Sequence, residues 1–163
     1  MEPTQIGCAD FFTALYFDTL HLDPKKFNMD GIGEDIFFLS NGHLSAVWYS
    51  ALARKGFFDI SELGTFRILN SRLQGHPTNA EHIPGVRISS GSLGQGLSVA
   101  CGTALAKKLN GDKHLVYTLH GDGELQEGQI WEAVMYAAAK KVDNIIATVD
   151  YNHKQIDGDI DEV

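Results

Sequence analysis

The chain has 163 residues, of which 44% are hydrophobic and 21% charged, and this composition predicts an ordinary globular domain and excludes a disordered chain. A formal net charge of −8 argues against binding to nucleic acid or to an anionic membrane surface. There are only two cysteines, no charged-then-apolar leader and no long apolar run, so we expect a soluble, cytoplasmic protein without a disulfide framework.

Helical and strand-like segments alternate along the chain. In order, we predict a helix at 9–20, a strand at 36–39, helices at 45–55 and 60–69, a strand at 86–89, a helix that opens at 91–96 and ends at 109, a strand at 114–119, a helix at 130–140 and a strand at 144–149. This alternation predicts an α/β fold, in which a parallel sheet has flanking helices.

Two polar residues follow the last two predicted strands at the points where these strands end. Asp122 lies in Gly121-Asp122-Gly123, and Asn152 comes thirty positions later, which leaves room for one helix. Because the carboxyl ends of parallel strands meet at one edge of a sheet, we expect both side chains at that edge. A carboxylate and an amide oxygen suit Mg²⁺, which proteins usually hold together with substrate phosphates. A Gly-Asp-Gly tripeptide alone is more often only a turn.

The segment 91–96, Gly-Ser-Leu-Gly-Gln-Gly, has two interpretations that the sequence leaves open. Its glycines could allow a helix to pack tightly on the sheet. Alternatively, its backbone N–H groups could bind a phosphate or a ring.

Three histidines are candidates for acid–base chemistry or substrate contact. His43 follows Asn41-Gly42 at a strand exit, and His76 lies in the loop Gln-Gly-His-Pro at 74–77. His120 precedes Gly121 at the end of a predicted strand and could line the same site.

Acidic residues gather on the helix after Gly123. Glu127 and Glu132 are five positions apart, about 140° around a helix, so they do not form a paired acid–base dyad. We interpret Glu124 and Glu127 as part of a solvated acidic face with favourable charge near the helix N-terminus.

Five segments occur in an order and spacing typical of one enzyme family. They are Leu-Ser-Asn-Gly-His at 39–43, Leu-Gln-Gly-His-Pro at 73–77, Gly-Ser-Leu-Gly-Gln-Gly at 91–96, Gly-Asp-Gly-Glu-Leu-Gln-Glu-Gly at 121–128, and 150–158. Together they resemble the N-terminal part of transketolase, from about residue 8 to residue 163. The Gly-Asp-Gly to Asn spacing resembles the thiamine diphosphate signature of the wider superfamily. The strings at 121–128 and 155–158 narrow the resemblance to transketolases.

The resemblance implies a metal and a cofactor. Mg²⁺ would be ligated by the side-chain oxygens of Asp122 and Asn152 and by the backbone carbonyl of Lys154, and it would hold the diphosphate of thiamine diphosphate. Further cofactor contacts would come from the backbone of Gly91, Leu93 and Gly123.

The resemblance also implies catalytic roles. His43 and His76 would face the substrate and the reacting carbon of the cofactor, with His43 also contributing to cofactor binding. Glu127 would lie at a dimer interface beside the cofactor and help to place the partner's activating glutamate, and Glu132 would join the same acidic contact.

The activity implied is transfer of a two-carbon ketol unit from a ketose phosphate to an aldose phosphate, as in the pentose phosphate pathway. Residues 1–163 would then be the N-terminal part of the diphosphate-binding domain, an incomplete fold that lacks the pyrimidine-binding and C-terminal domains. Activity would require a chain or segment that carries the pyrimidine-binding domain.

The N-terminus departs from the family pattern. The family has a Ser-Gly-His-Pro-Gly-Gly type of segment before the first helix, whereas residues 1–6 here are Met-Glu-Pro-Thr-Gln-Ile.

Two alternatives remain at the level of the sequence. The chain could be a non-catalytic remnant or binding module that retains the Mg²⁺/diphosphate site. It could instead belong to a neighbouring class such as deoxyxylulose-phosphate synthase, against which the strings at 74–77 and 155–158 count. Whatever its function, a fragment whose sheet is cut after the fourth strand would expose an apolar edge. We therefore expect the isolated chain to self-associate or dissolve poorly.

Overall fold

The computed structural model of the protein describes residues 6–155 and 157–162, so most of the N-terminal departure, residues 1–5, lies outside the described residues. The chain divides into two compact units. The first unit comprises the described residues before Asp35 together with Gly42–Gly91, and the second comprises Asp35–Asn41 together with the described residues from Ser92 onward. Within this described part, none of the helices combines the length and the apolar character needed to cross a membrane.

The first unit is helical. Helix α1 covers Ala9–Ala14 and continues as a π-helical turn over Leu15–Thr19, as predicted for 9–20. Helix α2 covers Ser45–Lys55, with both ends as predicted, and it ends where Gly56 adopts a φ of 102°. Short 3₁₀ turns cover Pro24–Lys26, Gly42–Leu44, Ile60–Thr65 and Asn79–Glu81.

Two predicted elements of the first unit are wrong. The helix predicted at 60–69 is only the 3₁₀ turn Ile60–Thr65, because the backbone of Arg67 turns to a φ of 60° and cannot continue a helix. The strand predicted at 86–89 is irregular. There Val86 N donates to the carbonyl of Ile83, which closes a turn instead of joining a ladder.

The second unit contains a parallel three-stranded sheet in the order β1-β2-β3, which confirms the predicted fold class with one strand fewer. Strand β1 covers Ile36–Leu39, β2 covers Val116–Gly121 and β3 covers Ile145–Asp150. The register pairs Leu39 with Leu119 and Gly121 with Asp150. Strand β2 begins two residues later than predicted, because the preceding amide of Leu115 donates to the Asp35 side chain over 2.7 Å.

Two helices pack on each other in the same unit. Helix α3 covers Gln95–Leu109, and helix α4 covers Gly128–Ala139 after a 3₁₀ turn at Gly123–Gln126. Their shared core contains Leu97, Cys101, Ile130 and Ala133. A two-stranded antiparallel hairpin, β4 at Lys154–Gln155 and β5 at Gly158–Asp159, follows the sheet.

Strand β3 is an edge of the sheet and is only partly covered, with Ile146 and Val149 exposed. Helix α4 also carries exposed apolar side chains. They are Trp131, Val134, Met135 and Tyr136. An exposed edge strand and apolar helix surface are features that promote association.

Candidate metal and diphosphate site

The loops after β2 and β3 lie side by side at the carboxyl edge of the sheet. Asp122 N donates to the carbonyl of Asp150 over 3.2 Å, which extends the ladder by one bond. The buried Asp122 carboxylate accepts from Gly123 N at 2.9 Å through Oδ1 and from His153 N at 2.6 Å through Oδ2. The side chain of Asp122 therefore connects the loop after β2, to which it belongs, with the loop after β3, which contains Asn152.

Asn152 is half-buried in a tight local turn. Its Oδ1 accepts from Lys154 N at 2.9 Å, and its Nδ2 donates to Asp150 Oδ2 at 3.1 Å. These bonds fix the amide with its oxygen turned toward the Lys154 backbone. The side chain of Lys154 points elsewhere and pairs with Asp159 across the hairpin.

Gly123 brings the Lys154 carbonyl close to the loop after β2. A Cβ added to Gly123 would lie 3.4 Å from the Lys154 carbonyl oxygen and 2.6 Å from the Cβ of Gln155. Only glycine permits this close approach of β4, so the third predicted ligand lies beside the loop that holds Asp122.

The donor set at this edge consists of oxygen atoms alone: a carboxylate, an amide oxygen and a backbone carbonyl. Such hard ligands fit Mg²⁺. Among the described residues no group of three or more His, Cys, Asp or Glu side chains could hold a metal ion. The predicted Mg²⁺ site needs only one such side chain, Asp122, because its other two ligands are the amide oxygen of Asn152 and the backbone carbonyl of Lys154.

Glu124 is a buried residue whose position the sequence interpretation missed. The prediction that it is solvated is wrong, because only 2% of it is exposed. Its Oε1 accepts from Gly94 N at 2.7 Å and from the Ser40 hydroxyl, and its Oε2 accepts from Gly121 N at 3.2 Å. One carboxylate thus joins the loop after β1, the glycine-rich segment and the end of β2.

The surroundings of Glu124 keep it ionised. Burial opposes the charge, but the neighbouring His120 ring, the Ser40 hydroxyl and the Gly94 amide outweigh it, so the pKa of Glu124 lies below its usual range. His120 is itself buried, with Nδ1 3.4 Å from Glu124 Oε2 and Nε2 2.8 Å from the Thr118 hydroxyl. No sequence pattern indicated this pairing, although a spacing of four residues allows it.

The glycine-rich segment serves packing in the second unit. A Cβ on Gly94 would lie 2.9 Å from the Cβ of Glu127, and one on Gly96 would lie 2.5 Å from Ser40 Oγ. The carbonyl of Leu93, a predicted cofactor contact, accepts from Gln129 Nε2 at 3.4 Å. Of the two interpretations of 91–96, tight packing therefore accounts for Gly94 and Gly96.

In the first unit, the loops of the two candidate histidines meet at Gly91. A Cβ on Gly91 would lie 2.6 Å from the His76 ring, and a Cβ on Gly42 would lie 2.8 Å from Gly91 N. Gly91 also has a φ of 121°, which other residues rarely adopt. His76 is exposed, whereas His43 is half-buried in the turn Gly42–Leu44.

The carboxylates of Glu127 and Glu132 do not take part in the hydrogen bonds described above. Glu127 is exposed as the N-cap residue of α4, where its backbone carbonyl accepts from Ile130 N at 3.1 Å. Glu132 is exposed within the same helix. Their predicted roles at a dimer interface remain predictions.

Several known proteins from one enzyme family resemble this chain. The family model described as "Transketolase, thiamine diphosphate binding domain" matches residues 3–163. The chain is 40% identical over 158 residues to a 6-deoxy-6-sulfo-D-fructose transketolase subunit of a Clostridium species, covering 97% of this chain and 56% of the relative. It is 42% identical over 149 residues to an apulose-4-phosphate transketolase subunit of Actinobacillus succinogenes, covering 91% of this chain and 53% of the relative.

The fold gives the same result. The solved structure of transketolase from Leishmania mexicana matches with a TM-score of 0.84 and 30% identity, covering 93% of this chain and 24% of that chain. The chain thus spans about half the length of the curated subunits that it matches and about a quarter of that transketolase.

Proposed function

Because the chain belongs to the family of transketolase thiamine diphosphate-binding domains, we propose that it forms the N-terminal part of the diphosphate half of a transketolase active site. The whole enzyme would transfer a two-carbon ketol unit from a ketose phosphate to an aldose phosphate with thiamine diphosphate and Mg²⁺. The family assignment confirms the resemblance read from the sequence, and it favours a transferase over a non-catalytic remnant.

The observation that carries the proposal is the hydrogen bond from His153 N to Asp122 Oδ2, which joins the two loops that hold the predicted ligands. Mg²⁺ would be held by Asp122, Asn152 and the Lys154 carbonyl. The positive charge of the metal would let an acidic chain bind a diphosphate. Gly91, Leu93 and Gly123 would add backbone contacts to the cofactor.

When bound, thiamine diphosphate would supply a nucleophilic carbon for the transfer of a two-carbon unit. The chain's own residues would orient the substrate and move protons. An imidazole ring offers one nitrogen that donates and one that accepts a hydrogen bond, which suits His43 and His76 as groups that would face a sugar hydroxyl and carbonyl.

The proposal includes a second chain or segment that carries the pyrimidine-binding domain. Two relatives named as transketolase subunits support such an arrangement. Glu127 and Glu132 would lie at a dimer interface on α4, next to the exposed apolar side chains of that helix. We place the protein in the cytoplasm, which fits the absence of a disulfide between the buried Cys8 and Cys101 among the described residues.

The experiment that tests this proposal is calorimetric titration of thiamine diphosphate into the chain with and without Mg²⁺. The wild type should bind only with Mg²⁺. Asp122→Asn, which keeps the shape but removes the ligand charge, should lose that binding.

Asp143→Asn serves as the matched control. Asp143 is exposed and pairs with Lys108 before β3 begins, at the other end of the strand from Asp150. This variant removes the same charge and should bind as the wild type does. Unchanged Mg²⁺-dependent affinity in Asp122→Asn would contradict the metal assignment, and no binding by the wild type would contradict the proposed site in this chain.

A further inference from the structure

Asn41 comes to the carboxyl edge of the sheet beside the Gly-Asp-Gly loop. Ser40 N donates to the carbonyl of Leu119 at 3.0 Å, so the β1–β2 ladder continues past Leu39. Asn41 therefore reaches the level of Gly121. A Cβ on Gly121 would lie 3.7 Å from Asn41 Nδ2 and 4.0 Å from Asn41 Cβ.

The carboxamide of Asn41 is buried and has no hydrogen-bond partner within the part of the chain that the structure describes. Only 1% of the residue is exposed, and neither Oδ1 nor Nδ2 has a hydrogen-bond partner among the described residues. Buried side-chain amides are normally paired, and leaving one unpaired is unfavourable. Within residues 6–155 and 157–162, Asn41 is the one side chain with two such unpartnered atoms.

Three polar groups next to Asn41 in the chain or in the loop after β2 already have hydrogen-bond partners. The Ser40 hydroxyl and the Gly121 amide both donate to Glu124, and the Asp122 carboxylate accepts two backbone amides. These groups therefore do not satisfy the Asn41 amide, which leaves it available to a ligand at this edge of the sheet. Its neighbour Gly121 directly precedes Asp122, the proposed metal ligand.

We infer that Asn41 is a further cofactor-binding residue, whose Nδ2 donates a hydrogen bond to an oxygen of a diphosphate bound at the loop after β2. This inference rests on the proposed function, because it takes the diphosphate of thiamine diphosphate as the ligand. A phosphoryl oxygen is an acceptor that needs a donor, and a neutral amide supplies one without the desolvation that a buried cation requires.

The test combines thermal unfolding of the ligand-free chain with two titrations, one of inorganic pyrophosphate and one of thiamine diphosphate, both with Mg²⁺. Asn41→Leu has a similar volume and removes both polar atoms. Because it removes an unpaired buried amide, its ligand-free Tm should equal or exceed that of the wild type. Its affinity for both ligands should fall about tenfold, as expected for a lost hydrogen bond to a charged group. Asn41→Ala, which adds no bulk, should lose the same affinity.

Asn144→Leu is the matched control. Asn144 is also buried, but its Nδ2 donates to the carbonyl of Ala104 at 2.8 Å, just before β3 begins. This variant should lower the Tm and leave both affinities unchanged, which is the opposite pattern to that of Asn41→Leu.

Three results would overturn the inference while leaving the proposed function intact. They are wild-type affinity in both Asn41 variants, a fall in the ligand-free Tm of both like that of Asn144→Leu, and a loss confined to thiamine diphosphate that spares pyrophosphate. A wild-type chain that binds neither ligand would overturn the proposed function together with the inference.

Discussion

The amide of His153 donates a 2.6 Å hydrogen bond to Oδ2 of Asp122, so the loop after β3 is tied to the loop after β2 by one buried carboxylate. Asp122 also accepts from Gly123 N. The side chain that we propose as a metal ligand therefore has a structural task as well, and the two tasks can be separated by experiment.

Truncation of Asp122 should weaken the fold even without metal. Asp122→Ala leaves the amides of Gly123 and His153 without their acceptor, and we expect a loss of about 1–3 kcal/mol in the free energy of unfolding. Urea denaturation in the presence of a chelator measures this loss. Asp150→Ala, a half-buried carboxylate at the same edge, is the comparison and should lose less. Equal stability of Asp122→Ala and the wild type would contradict the role of the hydrogen bonds.

Glu124 should matter more for stability than its exposed neighbour Glu127. Glu124→Ala leaves the Gly94 and Gly121 amides and the Ser40 hydroxyl without their acceptor, at about 1–3 kcal/mol for each unsatisfied donor, so we expect a loss of about 3–5 kcal/mol. Glu124→Gln keeps the shape but places an amide nitrogen against backbone donors, and should lose about 1–3 kcal/mol. Urea unfolding of both variants provides the measurement. The control is Glu127→Gln, whose free energy of unfolding should lie within about 0.5 kcal/mol of the wild-type value. A Glu124→Gln as stable as Glu127→Gln would show that the buried network contributes little.

Two glycines of helix α3 should respond in opposite directions to alanine. Gly96→Ala places a Cβ 2.5 Å from Ser40 Oγ and 3.0 Å from Ser40 Cα, so it should destabilise by about 1–3 kcal/mol. Gly102 is exposed, and a Cβ there meets nothing within 4 Å. Gly102→Ala should therefore stabilise by about 0.5–1 kcal/mol, since alanine favours the helix. Thermal unfolding of the two variants side by side checks the prediction. A change in stability of the same sign in both variants would refute it.

The ion pair between Glu62 and Arg72 should give the first unit a dependence on pH. The hydrogen bond from Arg72 holds the pKa of Glu62 below its usual range, and burial opposes this only in part. A depressed folded-state pKa means that this stability is present above the unfolded value of about 4.3 and is lost as the pH falls through the folded-state pKa.

Glu62→Gln should isolate this contribution. Because both side chains are partly exposed, the variant should lose no more than about 1 kcal/mol at pH 7. Urea unfolding from pH 7 down to pH 3 should show the gap between the two proteins closing as the pH falls. A gap that stays constant over that range would mean that ionisation of Glu62 does not contribute.

The exposed apolar side chains of α4 should cause the isolated chain to self-associate. Met135 is 64% exposed, and Trp131 and Tyr136 are exposed near it on the same helix. Sedimentation velocity should show association that increases with concentration and that Met135→Lys reduces. Leu109→Lys, at an exposed apolar residue outside α4, should not change it. A monomer at all concentrations would contradict the prediction.

The sequence alone was sufficient for the placement of Asp122 and Asn152. The apolar runs before them predict parallel strands, and parallel strands deliver the residues that follow them to one edge. Helix α2 and strand β1 were also predicted with correct ends, because their apolar pattern and the glycine at position 56 are local signals. The motifs were specific enough to identify the transketolase family.

Burial and pairing were decided by the tertiary structure. Glu124 has the local pattern of a solvated helix-start residue, yet it is buried because the loops after β1 and before α3 close over it and supply its donors. The segment 86–89, Val-Arg-Ile-Ser, alternates apolar and polar residues as a strand does, but the amide of Val86 donates to the carbonyl of Ile83 and closes a turn. The unpartnered amide of Asn41 is equally invisible in the sequence. A pattern records which residues prefer burial, whereas the partners that satisfy a buried polar group come from segments distant in the chain.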